Sequence, residues 1–319
     1  MMGVRMGAAL AGLALLTACS GDPKPVYQDA PAPAAVVSQY DESLEPSAAV
    51  LALVPADATT VMVTDFDQLR LVLGFGSLAR DSAPTERDEF WAEVPRTAAL
   101  SRGMLRPFEA RLRDDFGISQ DDVAWEATYA GADGTGWVLA FRPTTAMAAV
   151  SRAVQAGVGP LKGASVDTAR RLVTSAAAPD VADSWGAEPT LVALSGREAV
   201  STYVTRGCLD FDTVFGAGME AQLAAAPAAA LGSLDELDGF AVALGTELAT
   251  VLLGDDRSDA FERARLAEVM PPTDPEFPLA MSRPVADPST GRLGYTLSNP
   301  AAAAELTRTQ HLPFAVCRG

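Results

Sequence analysis

The sequence predicts an α+β protein: antiparallel hairpins with helices packed on one face of the sheet, either as two related halves or as a single domain in which the recurring element order is chance. Three observations carry this. Short runs rich in β-branched and aromatic residues alternate with period two around Gly/Asp turns. Between them, apolar residues recur at helical spacing. The order strand, helix, hairpin, helix, strand then reads twice, on either side of the small, acidic, Pro-bearing stretch 176–189.

The first strand is ATTVMVT, residues 58–64. Phe66, Leu69, Val72 and Leu73 then fall on one helical stripe, stopped by Gly74 and Gly76. Thr85 and Asp88 have capping-box spacing ahead of Phe90, Trp91 and Val94. Residues 97–116 look helical with a break at Gly103 and Pro107, and Gly117 ends them. In DVAWEATYAGADGTGWVLAFRP, Val123, Trp125, Ala127 and Tyr129 share one strand face, and Trp137, Leu139 and Phe141 share one on the return strand. Glu126 points opposite Trp125, so it is expected to be solvated or to look into a groove, the first favoured because glutamate is seldom fully buried. A helix at 145–157, capped by Thr144 or Thr145, and a strand in RRLVTS complete the first half.

The second half opens on the strand AVSTYVT and a short helix at 218–226. Two hairpins follow, GFAVALGTELATVLLG and PLAMSRPVADPSTGRLGYTLS, separated by a helix with Asp259 and Glu262 at its start. Asn299 caps a last helix with Pro300 at its first position. LPFAVC is expected as the closing strand.

The leading residues serve a different purpose. Arg5 precedes the apolar run MGAALAGLALL, which is too short for a membrane span of about 20 residues and fits a secretory signal peptide. The run ends in Leu16-Thr17-Ala18-Cys19. These four residues resemble the lipobox of bacterial lipoproteins. The resemblance implies cleavage before Cys19 and a diacylglycerol on its sulfur, an anchor of the two-chain kind that holds stably. The expected organisation is a signal peptide over 1–18, lipidated Cys19 with a Pro/Ala-rich tether over 19–49, one α+β half over 50–178 and a second over 186–319. Proline-rich linkers of this sort act as semi-rigid spacers.

Composition narrows the partners. The formal net charge is −17, and removing residues 1–18, which hold Arg5 and no acid, makes it one more negative. Such a surface repels phosphates, which argues against nucleic acid, and leaves membrane attachment to the lipid. Apart from Lys24 and Lys162 the basic residues are all arginine, the coding bias of a GC-rich bacterial genome. Cys208 and Cys317 read as a disulfide in an exported chain, with two buried free thiols as the alternative.

No catalytic set assembles. GFGSLA, residues 74–79, has the spacing of a dinucleotide-binding loop, but a helical stripe precedes it, so it reads as a helix stop and turn. His311 is the single histidine and sits past a helix end, without a nucleophile-elbow motif. Zinc needs more His or Cys ligands than remain. Asp65-Phe66-Asp67 and Asp210-Phe211-Asp212 lack the later acid and glycine of a calcium loop and read as helix-start carboxylates. Arg102, Arg106 and Arg113, with Glu109 among them, read as a solvated ion-paired face. No metal or cofactor is expected.

LALVPADATTVMVTDFDQL, DDVAWEAT, GRLGYTLSNP and LPFAVC are similar to stretches of a group of actinobacterial lipoproteins. The similarity implies export and a shared fold, and transfers no functional residue. The expected function is that of a lipid-anchored extracytoplasmic envelope protein, a non-catalytic binding or scaffolding module whose partner is an envelope protein. The alternatives are a carrier of a hydrophobic ligand and a carboxylate-dependent hydrolase.

Overall fold

The computed structural model describes residues 36–132, 134–216, 233–266 and 276–317. Their strands are β1 (Ala58–Asp65), β2 (Val123–Gly131), β3 (Gly134–Phe141), β4 (Ser165–Asp167), β5 (Leu172–Thr174), β6 (Ser201–Arg206), β7 (Gly239–Leu244), β8 (Leu248–Leu252), β9 (Met281–Asp287) and β10 (Arg292–Leu297). All lie in one sheet in the order 4-5-3-2-1-6-7-8-10-9, every pair antiparallel. Outward from the central β1–β6 pair, the order is 1-2-3-5-4 on one side and 6-7-8-10-9 on the other.

The helices are α1 (Pro46–Ala49), α2 (Phe66–Val72), α3 (Pro84–Glu93), α4 (Glu109–Arg111), α5 (Met147–Gln155), α6 (Pro189–Ala193), α7 (Phe211–Phe215), α8 (Ala260–Leu266), α9 (Glu276–Ala280) and α10 (Pro300–Arg308). Local chemistry sets their starts. Asp65 Oδ1 accepts from the Gln68 N–H at 2.9 Å, Asp210 Oδ1 from the Thr213 N–H at 2.9 Å, and Asn299 Oδ1 from the Ala302 N–H at 3.2 Å. Both Asp-Phe-Asp triplets therefore open a helix, one after β1 and one after β6, and the first ends on Gly74 at φ 82°. The α3 start differs from expectation: Ala83 is the cap and Pro84 the first helical residue, with no side-chain cap bond.

The longer helices share one sheet face. Over β2, β3 and β5 they bury Phe66, Leu69, Phe90 and Val150 against Leu139, Phe141 and Val173. Over β7, β8 and β10 the cluster is Leu306, Phe277 and Phe314 against Phe240, Val251 and Tyr295. The opposite face carries Val61, Val63, Trp125 and Ala127, covered by Val50, Leu51, Leu191 and the fully buried Trp185. Each large side chain so buried contributes about 1.5–3 kcal/mol.

Several expectations need correction. The folded body starts before residue 50: Val37 N–H bonds to Gly186 O at 2.9 Å, and Ser47, Ala48 and Ala49 are buried in α1, so the tether does not extend to 49. A 3₁₀ turn over Val50–Leu53 hides an apolar run that has no α period. Val123 faces the cluster of Phe66 and Leu139 rather than that of Trp125, because β2 bulges at Ala124 and shifts the alternation by one residue. Residues 97–105 are extended or turn, and only short 3₁₀, α and π turns occupy 106–116. LPFAVC is a 3₁₀ turn over Pro313–Ala315 followed by a single parallel bridge between Val316 and Leu209. The expected helix at 218–226 lies outside the described residues.

The sheet ends on two blunted strands. β4 has three residues. β9 sets Arg283, at φ 53°, and Pro284 against the single residue Tyr295 of β10.

Candidate functional site

One cross-strand row locates the site. Direct pairing aligns Val173, Leu139, Glu126, Thr64, Ser201, Leu244, Ala249 and Tyr295 on the face that carries the longer helices. The ends of the row are apolar and enter the two helix-side clusters. Its middle, Glu126–Thr64–Ser201, is polar and buried. Buried polar groups need partners, and here they come from the chain that crosses above, residues 97–105.

That crossing is stitched down bond by bond. The Leu100 N–H donates to Ser201 Oγ at 3.1 Å, and the Ser101 N–H to Thr64 Oγ1 at 3.0 Å. Ser101 Oγ donates to Glu126 Oε1 and accepts from the Gly103 N–H at 3.1 Å. Glu126 Oε2 accepts from the Met104 N–H at 3.0 Å and from Gln120 Nε2 at 3.1 Å, while Gln120 Oε1 accepts from the Leu105 N–H at 2.7 Å. Glu126 is 1% exposed, not solvated as expected, because helix-side chain covers this face of β2 as fully as Trp185 and its neighbours cover the other. Burial pushes its carboxyl up, opposed by the bonds from Ser101, Met104 and Gln120. Among the described residues no cation pairs with it.

A cleft of about 260 Å³ lies between residues 95–102 of this crossing chain and α10, lined on the second side by Ala301, Ala304, Glu305 and Arg308. Thr97 Oγ1 donates to Val94 O at 2.7 Å and accepts from the Ala99 N–H at 3.2 Å. Arg308 pairs with Glu305 across one helical turn. Arg102, at the cleft wall, is exposed. The three arginines expected on one helix face have separated: Arg106 stacks over Trp91 at 4.7 Å and Arg113 bonds to Glu109 at 2.9 Å.

Acids also gather away from the cleft. Asp121 accepts from Trp91 Nε1 at 2.8 Å and sits 3.5 Å from both Arg87 and Arg113. Glu109 meets the same two arginines, and Asp122 meets Arg80 at 3.7 Å and the Ser119 N–H at 2.8 Å. Burial pushes the Glu109 and Asp122 carboxyls up, and the charge of Asp121 adds to both. Arginines and N–H groups occupy these oxygens, so the cluster holds the 109–122 segment on the sheet and offers no open pair of carboxylates.

The remaining predicted residues are structural. Cys208 and Cys317 are joined by a disulfide with Cα atoms 5.7 Å apart. Glu236 stands beside them, but a metal would need the two sulfurs that are spent on each other. Arg263 secures the same region: it is fully buried, donates to Phe314 O at 2.8 Å and Val316 O at 2.7 Å, and pairs with Asp259 at 2.7 Å. Asp67 pairs with Arg70 at 2.8 Å and Arg142 at 3.1 Å. His311 follows α10 with Nδ1 3.3 Å from Thr309 Oγ1. Cys19 lies outside the described residues. Thr64 and Ser201 were missed from sequence, although a hydroxyl at an inward strand position on each central strand was the available signal.

No protein-family model, no curated protein and no solved structure matches the chain. Among the described residues no helix is long and apolar enough to cross a membrane.

Proposed function

We propose that the chain is a lipid-anchored extracytoplasmic envelope protein whose folded body is a non-catalytic binding module, with the inter-half cleft as its seat. The observation that carries the binding role is a cleft of about 260 Å³ whose 95–102 wall is fixed from beneath by the buried row Glu126–Thr64–Ser201. The Leu16–Cys19 lipobox supports the anchor, and the Cys208–Cys317 bond accords with an oxidising compartment. The repeated strand order and the two Asp-Phe-Asp helix starts support descent of the halves from one unit.

The carrier alternative asks for an apolar cavity, and this cleft has Thr97, Ser101, Arg102, Glu305 and Arg308 in its lining. The hydrolase alternative asks for converging free acids, and the gathered acids are ion-paired.

Two measurements test the proposal. Intact-mass analysis of envelope preparations should find a chain starting at Cys19 with added acyl mass, and Cys19→Ala should move to the soluble fraction; a chain retaining Met1 without acyl groups removes the anchor. Native mass spectrometry of the full protein should show a small polar adduct that Ala301→Trp eliminates. A lipid adduct instead transfers the role to the carrier reading.

A further inference from the structure

We infer that the cleft between residues 95–102 and α10 receives a small hydroxylated anion of about sugar-acid size, anchored on Arg102. The inference rests on the binding-module reading and adds the ligand class.

Size comes first. The cleft holds about 260 Å³, below the roughly 300–1,000 Å³ typical of drug-sized ligands. Charge comes next. Arg308 is neutralised by Glu305, whereas Arg102 is exposed and forms no hydrogen bond or ion pair with the described residues. On a chain of net charge −17, one unmatched guanidinium at a cleft wall calls for one negative charge from the ligand. A guanidinium suits a carboxylate through paired N–H donors.

The hydroxyl requirement follows from where the protons of the cleft already point. A hydroxyl has one proton and two lone pairs. Thr97 gives its proton to Val94 O and one lone pair to the Ala99 N–H. Ser101 gives its proton to Glu126 and one lone pair to the Gly103 N–H. Each has one lone pair left and no proton, so both can only accept, and the ligand must donate. An ammonium donor would add positive charge beside Arg102; neutral O–H groups do not. Ala301, half-buried at the cleft edge, supplies the apolar contact. Ser101 is held by its bond to Glu126 and Thr97 by bonds within its own turn, so ordering these acceptors on binding costs little.

The test is calorimetric titration of the full-length protein in detergent with glucuronate, glucose and inorganic phosphate. Glucuronate should bind saturably, and Arg102→Ala should weaken it about tenfold or more. Ala301→Trp should abolish it, while glucose and phosphate bind at least about tenfold more weakly than glucuronate. Arg102 is exposed, so its variant is expected to keep the parent circular-dichroism spectrum. Undiminished glucuronate binding by Arg102→Ala overturns the anchor. Equal binding of glucose overturns the anion requirement, and equal binding of phosphate the hydroxyl requirement. Absence of glucuronate saturation through the millimolar range overturns the ligand class, while the native-mass adduct still judges the binding module independently.

Discussion

Ser101 Oγ donates to Glu126 Oε1 across 25 residues of sequence, joining the loop that walls the cleft to the centre of the sheet. The same carboxylate holds the Met104 N–H at 3.0 Å and Gln120 Nε2 at 3.1 Å. Glu126→Gln puts an NH₂ where an oxygen now accepts, and strands buried donors. The expected loss is about 1–3 kcal/mol, read as a shifted urea midpoint with unchanged slope. A midpoint equal to that of the parent would show that the loop does not depend on this carboxylate.

Asp65 gives a pH signature. Burial pushes its carboxyl up to about 6 from an ordinary 3.8, while its bond from the Gln68 N–H opposes the shift. The folded value is raised, so the contribution to stability is full below the ordinary value and is lost as pH rises through about 6. Asp65→Asn keeps a capping side chain and stays neutral. Its melting temperature relative to the parent should therefore climb between about pH 4 and about pH 7. A constant difference across that range contradicts the assignment.

The disulfide spans 109 residues. Chain-entropy reasoning assigns such a loop about 4–5 kcal/mol, an upper figure. Replacing Cys208 and Cys317 together by Ser should lower the denaturation free energy by up to that amount. Alkylation of the native protein without reductant should label neither residue.

Arg263 on α8 and Arg308 on α10 should behave differently. Arg263 is fully buried with Asp259 and two carbonyls, and Arg263→Ala should cost about 1–3 kcal/mol, because Asp259 keeps Arg257 while the buried Phe314 and Val316 carbonyls lose their donor. Arg308 pairs with Glu305 at the surface, and Arg308→Ala should change stability by about 0.5 kcal/mol or less. Equal effects would mean that burial is not what separates them.

Much of the sheet was legible because hairpins announce themselves twice, by alternation and by turn residues. Gly291 illustrates this: it has φ 55°, and a Cβ there would collide with Gly254 O. The helix starts at Asp65, Asp210 and Asn299 were legible for a similar reason, since a capping side chain acts within three residues. The site was harder to see. Period two places Glu126 opposite Trp125 but does not say whether the second face is covered, and coverage depends on a loop 25 residues away. Val123 escaped because a bulge carries no composition signal. Residues 50–53 escaped because a 3₁₀ turn buries an apolar run without an α period.

The two blunted edge strands have a consequence for how copies of the molecule meet. Pro284 removes one edge donor, the left-handed Arg283 bends the strand, and β4 offers only three residues for pairing. A ten-stranded antiparallel sheet with straight edges would template its own extension. The short β4 and the bulged β9 disfavour such extension, so edge-to-edge pairing between crowded copies is discouraged at both ends of the sheet.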